Sequence, residues 1–226
     1  MKRYLIPFLF GAVGVAVLVS LGVWQLQRLE WKEAILADIE NRIGDAPAEL
    51  PARPDAEAHR YMPVTVEGRF EDREIHVLVS LRDQGAGYRI IQPLETGARR
   101  VLVDRGFVPA PEKNAPPATG PAIVTGNLHW PDEVDSFTPE ADPDGNIWFA
   151  RDVPVLADAL GTEPTLVVAR DIEGAQRGEP LPITTTGIPN NHLGYAVQWF
   201  GLAIVWAGMT AFLLWRIHTR TDEREA

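Results

Sequence analysis

His192 is the side chain with the most chemistry open to it. It sits in the run Pro189-Asn190-Asn191-His192-Leu193-Gly194-Tyr195-Ala196-Val197-Gln198-Trp199-Phe200, which opens a long apolar stretch. Asn190, following a proline, predicts a helix N-cap and places His192 in the first helical turn. The partial positive charge at a helix N-terminus disfavours an imidazolium, so the ring is expected to be neutral and able to ligate a metal. Steps of three and four gather His192, Tyr195, Ala196, Trp199, Ala203 and Trp206 on one face, flat aromatics alternating with small residues. Such a surface admits a planar macrocycle from the lipid side, with His192 as axial ligand to its iron. The same pattern also describes an interfacial polar residue followed by belt or packing aromatics, and these residues alone leave both readings open.

The rest of the chain holds no comparable constellation. Ser80 and Ser136 lie in no nucleophile-elbow context. Asp83, Asp104, Asp132, Glu133 and Asp135 are what an acidic surface carries, and Asp104-Arg105-Gly106 reads as a local ion pair and turn at a strand end. His59, His76 and His129 are scattered without metal-ligand spacing. The sequence has no cysteine, which removes disulfides, thiolate metal sites and a cysteine nucleophile. No catalytic residue is assigned, and a non-enzymatic protein is expected.

Two apolar runs must position His192. Tyr4 to Gln27 and Leu193 to Trp215 are free of charged side chains for 24 and 23 residues, each above the roughly 20 that a helix needs to cross the hydrocarbon. Lys2-Arg3 before the first run resembles the start of a signal peptide. The stretch is too long for one, however, and Trp24-Gln25-Leu26-Gln27 offers no small-residue cleavage site, so the reading is a retained anchor. No amphipathic, Arg-rich presequence precedes it, and the expected location is a bacterial inner membrane, multi-pass. Lys2, Arg3, Arg216, Arg220 and Arg224 in the tails stand against Arg28, Lys32, Arg42 and Arg177 in the loop flanks. That balance favours cytoplasmic termini and a periplasmic central domain.

Helical spacing continues past Arg28 through Ala34, Ile35, Leu36, Ile39 and Ile43 to Gly44, after which Pro47, Pro51 and Pro54 end it. Trp24 and Trp31 then bracket Arg28 on one face, an arrangement that an ordinary aromatic belt also produces. Residues 28 to 191 carry 16 Lys plus Arg against 28 Asp plus Glu, a net of -12. A domain so acidic repels phosphate backbones, so nucleic acid is not an expected partner.

Between the runs the pattern is that of strands: Met62 to Phe70, Arg73 to Ser80, Gly87 to Glu95, Arg100 to Val108, Ala122 to Trp130, Ile147 to Arg151 and Thr165 to Arg170. One helix, Val153 to Leu160, is expected with Asp152 as N-cap and Gly161 as terminator. The fold class read from this is a membrane protein whose two transmembrane α-helices flank a mostly antiparallel β barrel-like or sandwich extracytoplasmic domain with one short helix. The boundaries are 4–27 for the first span with its helical extension to about 44, 45–189 for the β-rich domain, 190–215 for the second span and 216–226 for the tail.

Four blocks give the chain a resemblance: Leu21 to Lys32 (LGVWQLQRLEWK), Tyr61 to Phe70 (YMPVTVEGRF), Gly87 to Pro109 (GYRIIQPLETGARRVLVDRGFVP) and Asn190 to Phe200 (NNHLGYAVQWF). In these the chain resembles the surfeit locus family of cytochrome c oxidase assembly factors. The resemblance implies a non-enzymatic role in building the haem-copper oxidase, by delivering haem a to the catalytic subunit or stabilising it there. It also implies that the histidine of the NNH segment, His192, is the iron ligand. Trp199 and Tyr195 would then pack the ring, with Trp24 beside them on the first span, and Arg28 is assigned to a propionate from its position. Implied partners are the catalytic subunit of cytochrome c oxidase, haem a synthase and membrane lipid. Gly87 and Tyr195 match tight positions of the family pattern. Phe107 stands where the family often has tryptophan, Gly194 follows the His-Leu pair, and residues 110 to 160 match weakly. The remaining alternatives are a membrane-anchored scaffold for oxidase subunits without a bound cofactor, and a periplasmic ligand-binding module.

Overall fold

The computed structural model describes the backbone of residues 2–97 and 99–225, and the side chains of 4–97 and 99–219. The side chains of Lys2, Arg3, Arg220 and Arg224, which the charge count above uses, lie outside the described residues. The chain divides into two compact units, residues 1–38 with 186–226, and residues 39–185.

The first unit is built on two helices, α1 (Lys2–Gly44) and α3 (His192–Glu225). The segments Tyr4–Gly44 and His192–Thr219 are long and apolar enough to cross a membrane, their most apolar 18-residue stretches having mean hydropathies of 2.4 and 1.7 and being mostly exposed. The helices meet where α1 offers glycines. A Cβ on Gly14 would collide with the indole of Trp206, and one on Gly22 would lie 2.7 Å from the ring of Phe200. Large aromatics of one helix thus fill gaps left by the other, the close approach that small residues permit between apolar helices. Ala196 and Ala203 are buried on the same side of α3, and Phe10 packs its ring 5.4 Å from that of Trp206.

The second unit is a barrel-like sheet of seven strands, β1 (Ala48–Glu49), β2 (Pro63–Phe70), β3 (Ile75–Leu81), β4 (Gly85–Thr96), β5 (Arg99–Pro109), β6 (Gly120–His129) and β7 (Leu166–Gly174). The order β1-β2-β6-β7-β5-β4-β3, with a further pairing of β2 to β4, closes β2, β6, β7, β5 and β4 on themselves. Most pairs are antiparallel, as the alternating pattern predicts; β1 with β2 and β5 with β7 run parallel.

Alternation in β2 sends Val64, Val66 and Phe70 inward, where they join Leu94, Val101, Val103, Val124, Leu128 and Val167 in the barrel core. The opposite faces of β4, β5 and β7 are covered too. Ile91, Leu102, Leu166 and Val168 pack beneath Val153, Leu156, Ala157 and Leu160 of the helix α2 (Val153–Leu160). Burying each of the two α2 leucines is worth roughly 1.5–3 kcal/mol. The helix begins and ends as expected: the Asp152 carboxylate accepts from Val155 N–H, and Gly161 takes the left-handed conformation at φ 69°.

Three local expectations need correction. Ile147 to Arg151 is no strand. Its residues make only isolated bridges, Val77 to Trp148 and Asp142 to Ile147, and Trp148 serves as a core side chain instead. Asn190 does not cap α3 through its side chain: its amide oxygen is buried without a partner, and Asn191 sits at the cap position, its carbonyl accepting from Tyr195 N–H at 3.2 Å.

The third correction concerns Asp104-Arg105-Gly106, which is neither turn nor local pair. It lies inside β5, where pairing steps from Arg89 opposite Phe107 to Ile91 opposite Asp104, so β5 carries one extra residue as a bulge. Gly106 makes the bulge possible at φ 98°, and a Cβ there would strike the carbonyl of Glu179. Arg105 is fully buried over the ring of Phe70 at 4.0 Å. It donates to Gln92, to Ala118 O at 2.9 Å and to Ala175 O. The ion-pair partners of Asp104 are Arg89 at 2.7 Å and Arg151 at 3.0 Å, and its other oxygen accepts the Gly106 N–H at 3.0 Å.

Candidate functional site

His192 is the first residue of α3 and half-buried. Its Nδ1 lies 2.8 Å from Oε1 of Gln25 on α1, whose side chain is only 9% exposed. An amide oxygen accepts and cannot donate, so Nδ1 is the donor in this contact, and in the singly protonated ring that leaves the lone pair on Nε2. Nε2 makes no hydrogen bond among the described residues. An imidazole with one nitrogen held by an acceptor and the other unpaired presents the nitrogen that a metal or haem iron takes, and the contact fixes the direction of the ring.

The local sequence explains the arrangement. Gly22 lets α1 approach Phe200, and Gln25, one turn further along the same face, is carried to the mouth of α3. Lys32, two turns on again, donates its ammonium to the carbonyl of Pro189, the residue that leads into the Asn190-Asn191 entry. The start of α3 is therefore held to α1 at two points seven residues apart.

The other residues expected at the site fall into two groups. Trp199 and Arg28 are half-buried, with the Arg28 guanidinium 4.2 Å above the ring of Trp31. That stacking leaves its N–H edges available for hydrogen bonds in the plane of the group. Trp24 and Tyr195 point outward, 50% and 51% exposed. Of the face read from the sequence, Ala196 and Ala203 are covered and Trp206 is engaged by Phe10 and Gly14. The described geometry brings His192 and Gln25 together directly. It places Trp199, Trp24, Tyr195 and Arg28 within a turn or two of them along the two helices.

Gln25 is the residue that sequence reasoning missed. The available signal was one of two amides, Gln25 and Gln27, closing a mainly apolar run that begins at Tyr4, and Gln25 is the one spaced three residues before Arg28 on the same face. Among the described residues no group of three His, Cys, Asp or Glu gathers as a metal site. His76 is turned to Glu74 at 2.8 Å, and His59 accepts from the Asp55 N–H at 3.0 Å.

A β-barrel-like unit joined to two long apolar helices, one of them opening on a histidine held by a glutamine of the other, defines a class of helix-flanked barrel proteins. Within that class the chain belongs to the SURF1 family, whose family model matches residues 12–204. It is similar to Surfeit locus protein 1 of Rattus norvegicus, 29% identical over 231 residues that cover 91% of this chain and 73% of the relative. The human Surfeit locus protein 1 is 30% identical over 211 residues, 81% of this chain and 69% of the relative. The SURF1-like protein of Drosophila melanogaster is 31% identical over 231 residues, 89% of this chain and 74% of the relative.

Proposed function

We propose that this protein is a membrane-anchored assembly factor for cytochrome c oxidase that binds haem a and assists its insertion into, or stabilisation in, the catalytic subunit. The observation that carries the reading is the contact of His192 with Gln25, because it leaves an oriented, unpaired imidazole nitrogen at the tip of an apolar helix. Family membership supports the assembly role.

In this reading both apolar helices span a bacterial inner membrane, with the termini cytoplasmic and the barrel periplasmic. His192 would hold the haem iron. Haem a supplies the iron and the redox-active macrocycle destined for the oxidase; the protein supplies position. Gln25 keeps the Nδ1 proton in place so that Nε2 faces the metal, Trp199 and Tyr195 pack the ring with Trp24 beside them, and Arg28 donates to a propionate. A membrane partner, the catalytic subunit of the oxidase or haem a synthase, would complete the pocket.

The test is the absorption spectrum of detergent-purified protein expressed with and without haem a biosynthesis, beside His192→Ala. A haem a spectrum that disappears in His192→Ala is expected. An unchanged spectrum and stoichiometry in that variant would remove His192 as ligand. Colourless protein that still co-purifies with the oxidase subunit would replace the reading with a cofactor-free scaffold.

A further inference from the structure

We propose that the barrel unit carries a second site, a cavity beside His129 that binds a small organic carboxylate. The cavity measures about 320 Å³, the lower end of what small-molecule sites occupy, and Tyr61, Arg89, His129 and Arg151 form its polar side. Val168, Leu181, Pro182 and Ile183 supply apolar lining beside them. A ligand that satisfies both sides has an anionic head and a compact apolar body.

The donors are present and partly unused. Asp104, fully buried, already receives Nη1 of both Arg89 and Arg151 at 2.7 and 3.0 Å. Arg151 spends its remaining edge on Glu133. Arg89 gives Nη1 a second, longer contact to Leu181 O at 3.4 Å, while its Nε and Nη2 donate to nothing among the described residues. Nδ1 of His129 is buried with no partner among the described residues, a cost that structures rarely leave standing without a ligand or water to meet it.

The backbone holds the site under strain. Tyr61 adopts φ 70°, uncommon for a residue with a side chain, and its ring stacks on His129 with centroids 5.4 Å apart. That conformation is fixed by Asn127, whose amide donates to Tyr61 O at 2.8 Å, and by Tyr61 N–H to Leu128 O at 2.8 Å. Strain that surrounding bonds over-determine is characteristic of ligand clamps.

The donor set selects carboxylate over phosphate. One free guanidinium edge and one imidazole N–H match a planar monoanion, whereas a dianion would need a further cation not already shared with Asp104 or Glu133.

The experiment is titration of the full chain in detergent with sodium benzoate and, separately, inorganic phosphate, read by heat of binding and by the imidazole resonances of His129. Benzoate should bind saturably and shift those resonances. Arg89→Lys, which keeps the charge and loses the fork, and His129→Phe, which keeps the stacking and loses Nδ1, should each weaken benzoate at least about tenfold. If Arg89→Lys fails to fold around Asp104, His129→Phe carries the comparison alone. Non-saturable shifts, wild-type affinity in the folded variants, or phosphate binding as tightly as benzoate would each overturn the proposal.

Discussion

Gln25 and His192 are 167 positions apart in the chain and 2.8 Å apart in space. The bond is made by a side chain that is 9% exposed, so water competes for it poorly, and together with the Lys32–Pro189 bond it ties the opening of α3 to the body of α1. It fixes the direction of a histidine ring at a helix tip.

Gln25→Leu should therefore cost haem retention without removing the ligand. Loss of an outer-shell partner costs about 10–100-fold in metal affinity in comparable sites, and a loss in that range is expected on titration of the purified variant with haem. Gln25→Glu should instead retain haem and lower its reduction potential, because an anionic acceptor makes the ring more basic. Equal haem content and equal potential in all three proteins would show that Gln25 does not orient His192.

Arg105 offers a test of the barrel interior. Burial pushes its guanidinium down to about 10, and no carboxylate bonds to it directly; its bonds go to Gln92 and to the carbonyls of Ala118 and Ala175. Arg105→Met keeps much of the volume and strands those acceptors, so the variant should lose about 2–4 kcal/mol of stability in urea unfolding followed by tryptophan fluorescence. A midpoint within error of wild type would mean that the acceptors find water.

Gly106→Ala should be nearly as damaging for a different reason. The residue sits at φ 98° and its missing Cβ leaves room for the Glu179 carbonyl, which accepts from Phe107 N–H at 2.7 Å. Strain and collision together predict a loss of about 2 kcal/mol or more, with the Phe107–Glu179 amides losing protection in hydrogen exchange before the rest of the barrel.

His129 should make the folded unit acid-sensitive. Burial, reinforced by Arg151 and Arg60, pushes the imidazole down to about 4, whereas in an unfolded chain it titrates at about 6.5. Between those values the unfolded chain binds a proton that the folded chain refuses, so stability falls as pH drops from about 6.5 towards 4. The loss should reach about 2 kcal/mol after allowing for the partial solvent access of the ring. His129→Phe should flatten this limb of the curve. A wild-type urea midpoint that holds constant across the window would refute the assignment.

How far the sequence foretold this fold depended on how many faces of each element are buried. β2 and β6 alternate and were readable; α2 announced itself through Asp152, its apolar spacing and Gly161. β5 is buried on both sides from Val101 to Val108, so alternation vanished, and a bulge with an inward arginine passed for a turn. Ile147 to Arg151 has strand-like residues because Trp148 and Ala150 are buried, not because they pair in a ladder. β1 is two residues long and its parallel pairing carries no local signal. At the site, His192 and the apolar helix beneath it were legible from composition and spacing. Its acceptor was not, since nothing local ties position 25 to position 192.

The strand order has a bearing on synthesis. β7 is the last strand made, yet it is wedged between β5 and β6, which without it share no ladder. Until residues 166–174 leave the ribosome the cylinder stays split, with two long unpaired margins facing solvent. A message cut short before that point would thus yield no diminished version of the protein, only an open sheet prone to sticking and to degradation.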